Sequence, residues 1–288
     1  MSINKLLTIG MATYDDFDGV YFTVQSLRAH HSILKNNDIE IIVLDNNPDS
    51  AHGQETAKFI NGWASDVAKY IPLKDKPSSF NKYKIVDNAN GQYILILDCH
   101  VLLVDNAIES LLDYYKDHPD CKDLIQGPLL YDDLKNCSSE FKDEWRGDMY
   151  GTWWNNSEAL GKNKPFEIKM QGMGLCSFEK KNWPGICPYF KGFGAEEGYL
   201  AEKFRRNGGK NICIPQLKWI HRFGRPNGVK YPLILEDRIW NYFVGWLEIT
   251  RDPNHHMIVD TYNHFKGRVS QDSLDNILQI AKNKIFNS

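Results

Sequence analysis

Short apolar runs of strand length alternate, over roughly the first 130 residues, with stretches whose apolar side chains recur at helical spacing. Residues 6–11 read as a first strand, and residues 20–31, with Val20, Val24 and Leu27 on one face, as the helix that follows. A second run, 39–44, stops at Asp45-Asn46-Asn47-Pro48-Asp49, an acidic residue followed by turn formers. Residues 54–63 predict a helix, 67–71 a short third strand, and 78–88 another helix with Ser78 or Ser79 as N-cap. The run from Tyr93 to Leu97 is continuous rather than alternating, as in a strand covered on both faces. This βαβαβαβ order predicts an α/β fold with a parallel sheet and right-handed crossovers. Residues 106–117 form an amphipathic helix and 124–130 a further strand.

From residue 131 to 165 the periodicity fails, and the segment is polar and rich in tryptophan (Trp145, Trp153, Trp154). It reads as an excursion over a site rather than a second domain. Order returns at 168–178, with a helix at 199–206, short strands at 211–214 and 217–220, a helix at 234–249 and an amphipathic helix at 273–286. The expected division is one domain over 1–250, in halves 1–105 and 106–250, and a helical extension over 251–288.

In open α/β sheets ligands gather at the carboxyl ends of the strands, and Asp98-Cys99-His100 falls at such an end. Alternation along an extended backbone sends Asp98 and His100 the same way and Cys99 inward. A carboxylate and an imidazole suit a borderline divalent ion such as Mn²⁺, with Mg²⁺ as the second choice. The tripeptide is equally consistent with a turn-capping aspartate and a buried, satisfied histidine.

The stations along the chain resemble those of the nucleotide-sugar-dependent glycosyltransferases of the GT-A fold, family 2 type. Thr13-Tyr14-Asp15, Asp45-Asn46-Asn47 and Asp98-Cys99-His100 stand at three successive strand ends, and Asp98-Cys99-His100 is similar to the Asp-x-His of the polypeptide N-acetylgalactosaminyltransferases. Gly172-Met173-Gly174, Phe193-Gly194-Ala195-Glu196-Glu197 and Trp219-Ile220-His221-Arg222 fall in that family's order. The resemblance covers roughly residues 5 to 250. It implies a Rossmann-like, mostly parallel central sheet flanked by helices, with a small antiparallel portion on the acceptor side. It further implies His221 as third metal ligand beside Asp98 and His100, Asp98 near the donor ribose, Asp45 at the uracil edge, and Thr13 and Tyr14 as floor and wall of the base pocket. Glu197 stands where the family has asparagine, so sugar and acceptor do not carry over.

The residues themselves add further roles. Lys82 is a phosphate or ribose contact or a lysine facing water, and Arg222 and Arg225 are suited to grip diphosphate in bidentate fashion. Gly172 and Gly174 either let backbone approach the donor sugar or build a hairpin. Glu196 and Glu197, at a helix start, are acidic catalytic candidates or complements to the helix dipole. Trp153 and Trp154 stack on an acceptor or pack a lid. The adjacent pair His255-His256 diverges on an extended segment and is discounted as a metal site.

Composition narrows the picture without changing it. The 288 residues are 42% hydrophobic and 12% aromatic, as in a packed globular protein. A net charge of −3 with no long basic run gives no footprint for nucleic acid. No run approaches the roughly 18 apolar residues of a membrane span, and six scattered cysteines fit a reducing compartment, so a cytoplasmic protein is expected. The expected function is metal-dependent transfer of a sugar from a UDP-sugar donor to a hydroxyl-bearing acceptor: a glycan, a protein Ser/Thr or a hydroxylated nucleobase. The alternatives are a non-catalytic nucleotide-sugar binder and a sugar nucleotidyltransferase. The last predicts a basic glycine-rich loop after the first strand, where Thr13-Tyr14-Asp15-Asp16 is acidic.

Overall fold

The computed structural model describes residues 5–35, 37–224 and 228–287. β1 (Lys5–Thr13) leads through a turn into α1 (Phe17–His30), whose buried Val20, Val24 and Leu27 face the sheet core. β2 (Ile39–Asp45) is followed by α2 (Ala51–Gly62), capped by Ser50, whose hydroxyl accepts from the Gly53 N–H at 3.0 Å, and by β3 (Ala68–Pro72). The helix expected at 78–88 is instead a 3₁₀ turn over Ser79–Lys84 running into one α turn, α3 (Ile85–Asn88). Tertiary bonds explain the difference: Asn81 donates to Asn46 Oδ1 at 2.5 Å and Lys82 to the Met173 carbonyl at 2.9 Å, which holds this segment tighter than an α-helix.

β4 (Gly91–Asp98), β5 (Val101–Leu103), α4 (Ala107–Asp117), β6 (Leu124–Gln126) and β7 (Leu129–Leu130) follow. The single strand expected at 124–130 is broken at Gly127-Pro128, because proline has no N–H to give a ladder and the Gly127 backbone packs directly on Leu217. The segment expected to lack periodicity is a hairpin of β8 (Cys137–Arg146) and β9 (Met149–Asn155). Register shifts between Ser138 and Phe141 and between Lys142 and Trp145 break the period-two pattern that would have revealed it. β10 (Phe166–Glu167), β11 (Leu175–Glu179), α5 (Glu196–Arg206), β12 (Asn211–Cys213), β13 (Trp219–His221), α6 (Leu235–Thr250), α7 (His256–Phe265) and α8 (Gln271–Phe286) complete the chain.

The central sheet has eight strands in the order β10-β12-β6-β11-β4-β1-β2-β3, with β4, β1, β2 and β3 mutually parallel and β11 antiparallel to β4. A second sheet runs β5-β13-β7-β8-β9. Alternation along β4 sends Leu95 and Leu97 into the core beneath α1 and α4, and Ile94 and Ile96 into the core beneath α5 and α6. α7 and α8 pack on α6, and their Phe265, Leu274, Ala281 and Ile285 belong to that same second core. Register sets Thr13 beside Asp45 and Ala12 beside Asp98, so the ends of β1, β2 and β4 share one edge. No helix among the described residues is long and apolar enough to cross a membrane.

Candidate active site

Asp98 closes β4, and its N–H donates to the Gly174 carbonyl at 2.9 Å. The turn Cys99-His100 then leads into β5, which pairs antiparallel with β13 so that Val101 faces His221. The ladder continues past the strand, with the Arg222 N–H donating to the His100 carbonyl at 3.2 Å. Backbone pairing, not side-chain attraction, therefore brings His221 to His100. The two rings stand edge to face at 4.7 Å between centroids, and His221 Nε2 lies 3.2 Å from Asp98 Oδ2.

Each of Asp98, His100 and His221 offers one ligand atom, all within 4.8 Å of one another. The set is one carboxylate and two imidazoles, which fits a borderline divalent ion. Burial works against charge on Asp98, but Lys82, His221 and His100 outweigh it and hold the carboxyl well below the usual carboxylate range. The second grouping, Asp16 with Cys99 and His100, is a weaker one, because Asp16 Oδ1 accepts from Arg222 Nη2 at 2.6 Å and from the Gly19 N–H at 3.1 Å. His255 and His256 stand apart, His255 capping α7.

The site opens into a cleft of about 330 Å³ lined by Thr13, Tyr14, Lys82, Asp98, Glu196 and His221, among others. Lys82 is only 7% exposed. Its Nζ donates to the Met173 carbonyl at 2.9 Å and lies 3.7 Å from Glu196 Oε1. Burial alone would lower its pKa, yet Asp98 and Glu196 reverse the sign and keep it charged. Lys82 thus ties the Gly172-Met173-Gly174 turn to both acids. A Cβ on Gly172 would stand 2.3 Å from Trp153, and one on Gly174 3.1 Å from Trp219 and 3.4 Å from Asp98 Oδ2. Both glycines let aromatic rings close on the backbone beneath the cleft.

Glu196 and Glu197 open α5 after Gly194 and Ala195, both at positive φ. Both are buried, and the Oε2 atom of each has no hydrogen-bond partner among the described residues. Burial first, and the neighbouring Glu196 second, push the Glu197 carboxyl up to about 8. Both acids also line the cleft.

Other sequence-derived residues distribute unevenly. Thr13 and Tyr14 line the cleft, with Tyr14 edge-on to Tyr231 at 5.8 Å. Asp45 does not reach the cleft surface: it is 1% exposed, with Oδ1 accepting from the Asn47 N–H and Oδ2 from the Tyr70 hydroxyl, each at 2.9 Å. Its neighbour Asn46 lines the cleft instead. Trp153 lines the cleft and packs on Trp219, while Trp154 is exposed and sits under Lys142. Arg222 is engaged by Asp16. Arg225 lies outside the described residues.

Asp16 is the residue sequence reasoning missed. Its Oδ2 lies 2.8 Å from His100 Nδ1, and burial, though it favours the neutral acid, is outweighed by His100 and Arg222, which hold the carboxyl well below its ordinary value. The available signal was an aspartate just before the first helix, which reads as an N-cap and nothing more.

The cleft thus lies at the carboxyl edge of a mostly parallel sheet, where open α/β folds gather their ligands, with an Asp-x-His turn and a returning histidine at its floor. Residues 8–173, more than half the chain, match the profile described as Glycosyl transferase family 2, and the chain belongs to that family. Among the curated proteins none matches. Of solved structures, the chain is similar to GalNAc-T7 with UDP, GalNAc and Mn²⁺ (TM-score 0.64, 15% identity, 85% of this chain and 48% of that one). It is also similar to Staphylococcus aureus TarS 1-349 in complex with UDP-GlcNAc (TM-score 0.60, 12% identity, 97% and 81%). A third is the mannosyltransferase PcManGT from Pyrobaculum calidifontis with GDP-Man and Mn²⁺ (TM-score 0.55, 10% identity, 97% and 81%). At these identities the likeness is one of fold, and the chain spans about half the length of the first structure.

Proposed function

We propose that the protein is a divalent-metal-dependent glycosyltransferase that moves a sugar from a UDP-sugar to a hydroxyl acceptor, with Mn²⁺ preferred to Mg²⁺. The observation that carries this reading is the convergence of Asp98, His100 and His221 at the floor of the cleft. These three side chains would hold the ion. When bound, it supplies Lewis-acid stabilisation of charge on the diphosphate. The structures of GalNAc-T7 with UDP, GalNAc and Mn²⁺, of PcManGT with GDP-Man and Mn²⁺, and of TarS with UDP-GlcNAc support the reading.

The chain's own residues then divide the work. Thr13 and Tyr14 face the nucleoside end, and Asp98 stands near the ribose. In transfer, the acceptor oxygen bonds to the anomeric carbon while the bond from that carbon to the phosphate oxygen breaks, its electron pair leaving with the diphosphate. Glu197, protonated up to about pH 8, is a hydrogen-bond donor to a sugar hydroxyl at neutral pH. Glu196, steadied by Lys82, is the carboxylate that holds sugar hydroxyls or takes the acceptor proton. The acceptor is a glycan, a protein Ser/Thr or a hydroxylated nucleobase. In the same reading 1–105 is the nucleotide half, 106–250 the acceptor half and 251–288 a helical extension. The six buried cysteines, scattered along the chain, support a cytoplasmic setting.

The test is a thermal-shift panel of nucleotide sugars with and without Mn²⁺, followed by donor hydrolysis with the best ligand. A UDP-sugar that stabilises only with Mn²⁺ is expected. Equal stabilisation with and without the ion, and no hydrolysis, would leave a binding protein in place of the enzyme.

A further inference from the structure

We propose that Asp16 is the positioning residue for His100, fixing which ring nitrogen is presented to an ion shared with Asp98 and His221. The inference rests on the metal-site reading above. Its starting point is that capping explains only part of what Asp16 does. As N-cap of α1 it needs one oxygen, and Oδ1 accepts from the Gly19 N–H at 3.1 Å. The other oxygen, Oδ2, lies 2.8 Å from His100 Nδ1 across 84 residues of sequence. A carboxylate on Nδ1 assigns the ligand role to Nε2, and the ring cannot turn without losing that bond. A carboxylate behind a ligating imidazole sets its tautomer and raises its basicity.

Asp16 also reaches the other histidine strand. Arg222, next to His221, donates from Nη2 to Asp16 Oδ1 at 2.6 Å and through its N–H to the His100 carbonyl at 3.2 Å. Thr23, nearly two turns into α1, sets its hydroxyl 3.0 Å from the carbonyls of both Cys99 and Val101, which share its one proton. The first turns of α1 therefore clamp the Asp98-Cys99-His100 turn from its backbone and from its imidazole, and Arg222 fastens the end of β13 to the same carboxylate.

The experiment is Mn²⁺ titration followed by electron paramagnetic resonance of the free ion, on wild type, Asp98→Ala, Asp16→Ser, Asp16→Asn, His100→Ala and the double variant Asp16→Ser/His100→Ala. Serine keeps the helix cap but is too short to reach His100, while asparagine keeps the length and one acceptor. Asp16→Ser is expected to weaken Mn²⁺ binding by about 10- to 100-fold, as for other supports of a metal-bound histidine. Asp16→Asn is expected to recover part of that loss. In the His100→Ala background Asp16→Ser should cost much less, because the part of its effect that runs through the imidazole is gone and only the Arg222 tie remains. Unchanged Mn²⁺ affinity in both Asp16 variants would overturn the proposal. So would an equal loss with and without His100. If wild type and Asp98→Ala bind Mn²⁺ alike, the metal site itself falls, which is a different failure from that of Asp16.

Discussion

His221 Nε2 lies 3.2 Å from Asp98 Oδ2, although 123 residues separate the two in sequence. The approach is fixed by the β5–β13 ladder, so removing either side chain leaves the backbone that presents the other. Asp98→Ala and His221→Ala should therefore fold with near-native circular dichroism yet lose at least ~10²-fold in kcat/KM for donor turnover, about 2.7 kcal/mol of transition-state stabilisation. Steady-state hydrolysis of the UDP-sugar at saturating Mn²⁺ reads this directly.

Lys82 links Met173, Glu196 and Asp98 from a buried position. Lys82→Met keeps the length of the side chain and removes the charge. Two acids are then left without their cation, a loss of about 3–5 kcal/mol for a broken buried pair. Urea unfolding should show a lower midpoint. The pKa of Asp98 should rise, shifting the acid limb of the pH–rate profile to higher pH.

Glu197 gives a stability signature. Its carboxyl is raised from the ordinary 4.5 to about 8 in the folded protein. Between those values the native state binds a proton that the unfolded chain does not, so stability falls as pH rises through the window, by up to about 1.4 kcal/mol per pH unit. Glu197→Gln removes that dependence. Melting curves from pH 5 to 9 should show the wild type losing Tm with rising pH more steeply than the variant, with the gap widest near pH 8 to 9.

Gly172 permits a contact that no side chain could. Gly172→Ala places a methyl 2.3 Å from Trp153 and 2.9 Å from Phe141, both parts of the cleft wall. Displacing them should cost about 1–3 kcal/mol. The change should also raise KM for the donor, as measured by initial rates and denaturant midpoints.

Much of this arrangement was legible because burial on both faces makes a parallel strand read as a continuous apolar run that ends abruptly. That is why residues 93–97 and Asp98-Cys99-His100 stood out, although a turn at Cys99-His100, not extended alternation, sets His100 beside Asp98. The return of His221 was readable only through family resemblance, since β5 and β13 have three residues each and leave no periodic trace. The β8–β9 hairpin hid behind its bulges. Lys82 read as a helical lysine because nothing local announces the 3₁₀ turn that buries it. Asp45, expected at the uracil edge from the resemblance, accepts from the hydroxyl of Tyr70 on the neighbouring strand, a partner that no local pattern announces. Asp16 read only as one acid of the Thr13-Tyr14-Asp15-Asp16 loop, because its partner His100 is 84 residues away.

The most direct test of the central claim is calorimetric titration of UDP into wild type, Asp98→Ala and His221→Ala, each with and without Mn²⁺. Shared coordination of one ion predicts that Mn²⁺ tightens UDP binding at least about tenfold, ~1.4 kcal/mol, in the wild type and not in either variant. UDP affinity indifferent to Mn²⁺ in the wild type, or an undiminished Mn²⁺ effect in Asp98→Ala, would contradict it.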